Sequence, residues 1–344
     1  MSGIKVNTQM LALAREARGL SQIELADRIN VSQSNVNRWE SGNIALNEEA
    51  FVAIQKELDF PASFFFQTQE LIPPAFYRKR DKVDKRTLDR IDAQVNIYRM
   101  HANKILQANS GIKTDIPVFN VKSKTKAGDI AQQLRKHWRI NKGVISNLTQ
   151  LIESKGVIVI NFDFQTERVD GRMAMSEDKH PILFINALLL GDRQRFTLAY
   201  ELGQMLMYNY CHPAFDLNKL SHEANLFAAD FLLPEQEIRE DFSTEINLQL
   251  LANMKKKWKV SMQALLYRAD DLGLLTYNQK RYLLSQFNQL KIRRREPPEL
   301  DIAREKPSLM HGLLAKYRSK QGMSVKQIAA YLHITEKDFN TRYA

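Results

Sequence analysis

Cysteine is all but absent: Cys211 stands alone in 344 residues. No internal disulfide framework can form, and the chain suits a reducing compartment. Long apolar runs are also missing. The most apolar stretch, Pro181 to Leu190, falls far short of the ~20 residues that span a bilayer, and no basic-apolar leader opens the chain. These absences predict a soluble, cytoplasmic protein. Histidine is scarce, with seven in all. Cys211 and His212 are neighbours and so do not share a helical face, which argues against a metal pair there.

What is present is length and uneven charge. A chain of 344 residues exceeds what one hydrophobic core usually serves, so more than one domain is expected. The formal charge is +11, and it is concentrated. Residues 67–140 hold 16 basic against 7 acidic side chains and residues 281–344 hold 13 against 6, while 1–66 and 141–280 are slightly acidic. Two basic segments flanking a near-neutral middle suit a polyanionic partner.

Residues 9–60 carry closely spaced helix signals. Met10, Leu13, Ala14 and Ala17 space one helix, which Gly19 ends. Ser21-Gln22-Ile23-Glu24 is a capping box for a second helix reaching Ile29. After the short turn Asn30-Val31, Ser32 caps a third helix, Gln33 to Glu40, closed by Ser41-Gly42. Two short helices on a tight turn form a helix-turn-helix, whose second helix lies in a major groove of DNA.

From Leu20-Ser21-Gln22 through Ala26 to Arg38-Trp39-Glu40-Ser41-Gly42, the stretch resembles the lambda-repressor-like XRE family. The resemblance implies that Gln22 holds a phosphate and that Gln33, Ser34 and Arg38 face the bases; Asn35, on the same helix, is a further DNA-binding candidate. It implies a structural ion pair between Arg15 and Glu40, and a core role for Trp39. The chemistry agrees, since Gln pairs bidentately with adenine, Arg with guanine, and Ser with either. The basic residues usual after the closing glycine are missing, and Asn43 alone remains in Asn43-Ile44-Ala45-Leu46. Positive charge must come from elsewhere. Arg78-Lys79-Arg80, after the breaker Pro73-Pro74, and a basic helix from Val83 to Asn109 are the candidates. Either Arg78 to Arg86 touch phosphates or they form a solvated connector.

From Ile116 the pattern becomes α+β. Ile116 to Asn120 reads as a strand, Ala127 to Trp138 and Ile145 to Ser154 as helices, and Val157 to Phe162, Val169 to Met175 and Ile182 to Ile185 as a sheet against a helix from Asp192 to Asn209. That helix holds Tyr200-Glu201-Leu202-Gly203-Gln204 in the frame of H-E-x-x-H, where two imidazoles four residues apart aim at one Zn2+ with the glutamate as general base. The glutamate is kept and both nitrogen ligands are replaced.

Arg195-Phe196-Thr197-Leu198-Ala199 before this frame, Glu223-Ala224-Asn225-Leu226-Phe227-Ala228-Ala229 after it, and Val260-Ser261-Met262-Gln263-Ala264-Leu265 beyond resemble the ImmA/IrrE family of metallopeptidases over roughly 116–280. The resemblance implies an α+β zincin-like fold, a substrate-side strand at Val169-Asp170-Gly171 and a third zinc ligand at Glu223. A phenol and a primary amide are poor zinc ligands, so the expectation is a (pseudo)peptidase with no cofactor and no catalytic residue, in which Glu201 is vestigial. Tyr200, Gln204, Tyr208 and Glu223 would line a pocket for a small ligand or peptide. The alternative is a metallopeptidase that cleaves a repressor or partner through an atypical zinc site.

The tail is basic through Lys291-Ile292-Arg293-Arg294-Arg295. Beyond Pro297-Pro298, Ser324 to Thr335 repeats the spacing of Ser21 to Ser32, a second helix-turn-helix candidate for which a packing role is expected. The fold class is therefore multidomain: an all-α helix-turn-helix domain over 1–66, a basic helical linker over 67–115, an α+β zincin-like (pseudo)peptidase domain over 116–280 and a helical tail over 281–344. The expected function is that of a sequence-specific regulator, a homodimer on a double-stranded DNA operator, whose peptidase-like domain senses a ligand or holds a toxin. Such architectures occur in prophage repressors and in antitoxins of toxin-antitoxin or phage-defence loci.

Overall fold

The computed structural model describes residues 3–73, 78–79, 82–109, 112–119, 126–208 and 217–343. Four helices come first: α1 (Thr8–Ala17), α2 (Gln22–Arg28), α3 (Gln33–Glu40) and α4 (Glu48–Leu58). Each begins on a polar side chain, Asn7, Ser21, Ser32 or Asn47, that accepts a hydrogen bond from a first-turn N–H, satisfying a donor the helix cannot. Ser21 and Glu24 form a complete capping box. Met10, Leu13, Leu25, Val36, Trp39 and Ile54 meet in one core.

Strand β1 (Arg78–Lys79) is followed by α5 (Lys85–Ala108). The charge of this region suggests a solvated connector, but α5 is buried along most of the stretch from Ile91 to Leu106. Ala93, Ile97 and Met100 belong to the N-terminal core. Ile91, Val95, Tyr98, Ala102, Ile105 and Leu106 belong to a second core shared with the sheet and the C-terminal helices. Beyond its first turns, where Lys85 and Arg86 stay exposed, the helix buries two stripes, and its charges there have polar partners. Arg99 Nε donates to the Met175 carbonyl at 2.7 Å, and Asp92 pairs with Arg172, which is fully buried.

Helices α6 (Ala127–His137) and α7 (Leu148–Ser154) lead to β2 (Ile158–Phe162), β3 (Val169–Met175) and β4 (Pro181–Asn186). The sheet order is β1-β3-β4-β2, with β4 parallel to β2 and antiparallel to β3. Alternate residues serve opposite faces. Val159, Leu183 and Ile185 point into the largest core, whereas Ile158, Ile160, Phe162, Ile182 and Phe184 point toward α5 and the tail. The strand expected at Ile116 to Asn120 does not form over Ile116–Phe119, and Asn120 lies outside the described residues. The chain there is held from its start instead: Asp115 N–H donates to the Lys155 carbonyl and the Trp138 indole to the Asp115 carbonyl, so no ladder is needed.

The remaining elements are helices: α8 (Gly191–Tyr208), α9 (Leu217–Leu232), α10 (Glu235–Asp241), α11 (Leu248–Trp258), α12 (Met262–Asp271), α13 (Tyr277–Gln289), α14 (Leu309–Gln321), α15 (Val325–Tyr331) and α16 (Glu336–Tyr343). Helix α8 packs on the sheet and on α9, where Gly203 lies against the Phe227 ring and leaves no room for a β-carbon. Met310, Leu313, Ile328, Leu332 and Phe339 of the last three helices fill the core beside α5. Among the described residues no helix is long and apolar enough to cross a membrane.

Candidate nucleic-acid interface and candidate ligand cleft

On α3, Gln33, Ser34, Asn37 and Arg38 are exposed while Val36 and Trp39 are buried, so one face packs and the other is open. The open face is not built from isolated side chains. Gln33 Nε2 donates to Gln22 Oε1 at 2.8 Å, and Gln22 Nε2 donates to Glu40 Oε2 at 2.7 Å. Glu40 is anchored in turn by Arg15, whose Nε and Nη2 reach it at 2.6 and 3.0 Å. The ion pair expected to be merely structural thus holds two amides in line, and each restricted rotamer is entropy that binding no longer has to remove. Asn35 is half-buried and its N–H is taken by the Ser32 hydroxyl. Asn43 Nδ2 is spent on Ser41 Oγ at 3.1 Å.

Lys85 and Arg86, at the start of α5, line a hollow of about 540 Å3 together with Gln22 and Gln33. Arg86 is held there by the Gly19 carbonyl at 2.6 Å and by Glu24 at 3.0 Å. Arg78, expected in the same basic patch, is elsewhere.

Arg78 lies in the other site, a cleft of about 570 Å3 lined by β3, α8, α9 and α12. Strand β1 adds antiparallel to the edge of β3, with Arg78 opposite Gly171. Its guanidinium sits 4.4 Å from the Tyr200 ring centre and 5.1 Å from that of Phe196, with Asp170 at 3.8 Å and Asn225 Oδ1 at 3.5 Å. An arginine over aromatic faces is attracted by their quadrupoles. Gly171 is required here, since a β-carbon would come within 2.8 Å of Thr197 and 3.0 Å of Glu201 Oε1.

Glu201 is fully buried, and neither carboxylate oxygen has a hydrogen-bond partner among the described residues. Burial pushes its carboxyl up to about 8, with Asp170 adding to the rise while Arg78 and Arg172 oppose it. The group is therefore protonated at neutral pH. Tyr200 is buried and donates its hydroxyl to Ser221 Oγ at 3.1 Å. Gln204 is buried one turn on, and neither it nor Tyr200 lines the cleft as expected, because both side chains are packed beneath it. The side chain of Tyr208, and Cys211 and His212, lie outside the described residues.

Glu223 is not where the resemblance puts it. The α9 residues lining the cleft are Ser221, His222, Asn225, Leu226 and Ala229, and a residue two positions from Ser221 is turned ~200° around the helix. The residue opposite Tyr200 is Ser221. The donor set at the three ligand positions is then a phenol already engaged, an amide and an alcohol. Zn2+ is held by thiolate, imidazole or carboxylate, and this set does not fit it. Among the described residues no group of three or more His, Cys, Asp or Glu could hold a metal. Asp170, Asn225 and Arg268 are among the polar side chains that line the cleft. Asp170 and Asn225 stand in motifs quoted from the sequence, Val169-Asp170-Gly171 and Glu223 to Ala229, whereas Arg268 stands in none.

Residues 11–65 match the family model for a helix-turn-helix, and residues 152–270 match the model for the IrrE N-terminal-like domain. No curated protein matches the chain as a relative. Fold and matches together define a DNA-binding helix-turn-helix regulator carrying an α+β metallopeptidase-type domain. More particularly, the chain is a fusion of an XRE-type helix-turn-helix to an ImmA/IrrE-like module.

Proposed function

We propose that this regulator is sequence-specific, of the repressor or antitoxin type, and that its ImmA/IrrE-like module is a degenerate peptidase used as a sensor rather than an enzyme. The observation that carries the first part is the Arg15–Glu40–Gln22–Gln33 chain of hydrogen bonds, which presents Gln33 ready-oriented on the exposed face of α3. The second part is supported by the neutral donors at Tyr200, Gln204 and Ser221. A sensor also needs a connection to the reader. The β3 residue next to Gly171, Arg172, is paired with Asp92 of α5, and α5 shares a core with the helix-turn-helix. A peptide or small ligand that displaced Arg78 from the cleft would act on the strand that leads into α5.

A homodimer on an inverted repeat is expected, with half-sites about 10 base pairs apart or a multiple. Gln33→Ala or Arg38→Ala should each cost roughly 1–3 kcal/mol at the selected site and relax preference at one base position. Because Gln22 also holds Gln33, Gln22→Ala should both weaken binding to every sequence and relax the base that Gln33 reads. Selection from random duplexes checks all three, and no enriched motif for the unmodified chain would sink the proposal.

The position of Lys85 and Arg86 beside Gln22 supports a phosphate-binding role for the basic flank. Lys85→Gln with Arg86→Gln should lower the salt slope of log K by about two, since each phosphate contact releases close to one counterion. Arg78→Gln should leave the slope unchanged, because Arg78 is committed to the cleft. Equal slopes for all three proteins would remove Lys85 and Arg86 from the interface.

A further inference from the structure

The last three helices repeat the first three in backbone as well as in sequence. At one constant offset Ser21 falls on Ser324 and Gln33 on Glu336. Gly19 and Gly322 close the first helix of each set with φ +67 and +61, and the next residue's N–H returns to the Arg15 or Arg318 carbonyl at 3.1 or 3.0 Å. Ser21/Glu24 and Ser324/Gln327 are both complete capping boxes. The turn residues Asn30 and His333 have φ 55 and 56. Val31 N–H donates to the Ala26 carbonyl and Ile334 N–H to the Ala329 carbonyl, each at 3.0 Å. Ser32 and Thr335 then cap the third helices at 3.3 and 3.2 Å.

The exposed face repeats too. On α3 residues 33, 34, 37 and 38 are open. On α16 the equivalent Glu336, Lys337, Asn340 and Thr341 are open in the assembled chain. Only the inner side of α16 is consumed by packing. Phe339 is buried, Asp338 takes Arg18 at 3.0 Å, and Arg342 lies over Tyr98 at 4.7 Å and donates to Gln94 at 2.7 Å. Charge favours a polyanion more strongly here than in the first module, with six basic against two acidic residues over 309–343 but four against four over 8–40.

We propose that α16 is a second reading helix for double-stranded DNA, so that each chain recognises two separate sequence elements. Asn340 has the donor and acceptor for adenine, Lys337 the donors for guanine, and Glu336 the acceptor for cytosine. Thr341 donates its hydroxyl to the Lys337 carbonyl at 2.9 Å, which leaves its methyl for thymine. The buttress is not duplicated: Val325 stands for Gln22 and Tyr343 for Glu40. Discrimination at Glu336 is accordingly the weaker, and Lys337 and Asn340 carry the preference.

The inference rests on the DNA-reading role of α3 for the register of its positions, and one experiment separates the two. The full chain is used to select from random duplex DNA, and the enriched duplex is titrated with variants at exposed positions. The unmodified chain should enrich a motif of two blocks. Lys337→Ala with Asn340→Ala should lower affinity for that duplex about tenfold and flatten one block, and Gln33→Ala with Arg38→Ala should flatten the other. If the tail variant keeps both affinity and motif while the α3 variant loses them, the tail is a packing module and the inference fails alone. If the unmodified chain enriches nothing, the reading of α3 fails with it.

Discussion

Glu201→Gln is expected to remove the pH dependence of folding stability across the neutral range. The unfolded carboxyl loses its proton near its ordinary value of 4.5, whereas in the folded chain it does so at about 8. Between those values the folded state binds more protons than the unfolded one, so stability is full below about pH 4.5 and falls as pH rises through the folded value. At ~1.4 kcal/mol per pH unit the loss is on the order of 5 kcal/mol. His333, lowered from 6.5 to about 4 by burial and by Lys104, acts with the opposite sign, but its contribution is complete by about pH 6.5. Urea unfolding between pH 6.5 and 8 therefore isolates Glu201. The denaturation midpoint of the unmodified chain should drop steadily over that window and that of the variant should not. Two parallel curves would mean that the carboxylate is ionised and paired in the folded chain.

The second large effect concerns metal. The unmodified chain should retain no stoichiometric zinc after passage over a chelator and exposure to excess Zn2+. Tyr200→His with Gln204→His places two imidazoles on one face of α8, and adding Ser221→Glu supplies a carboxylate from the α9 position opposite Tyr200. The triple variant should then hold one zinc per chain, with apparent binding on the order of 10 kcal/mol at neutral pH. The double variant, limited to two protein ligands, should lose its zinc to the chelator. Metal analysis of these three proteins and of Glu223→Ala decides the matter. Should the double variant keep zinc as tightly as the triple, or the unmodified chain lose zinc on Glu223→Ala, then Glu223 and not Ser221 is the third ligand and the enzyme reading returns.

Some of this molecule was legible residue by residue. The caps Ser21, Ser32 and Ser324, the turn at Asn30, the strand Val169 to Met175 and the helix bearing Glu201 are local matters of hydrogen bonding and apolar period, and the structure places them where the sequence does. The role of α5 was not legible. Its basic residues suggest solvent, and nothing local reveals that two different cores would close on its two apolar stripes. The error at Glu223 has a similar origin. Sequence resemblance aligned a glutamate with a glutamate, while the side of α9 that turns to Tyr200 follows from how α8 and α9 cross at Gly203 and Phe227.

By itself, then, the sequence determined the two modules, the helix-turn-helix with its caps, and the tyrosine and glutamine that stand at the ends of the Tyr200-to-Gln204 frame, because each depends on contacts within a few residues or on side-chain chemistry alone. Only the tertiary structure decided that Arg78 leaves the basic patch for the cleft, that Ser221 faces Tyr200, that Glu201 is fully buried and that α16 keeps its outer face open. Each of these depends on which distant surfaces exclude water from a given side chain, and burial is a property of the assembled fold.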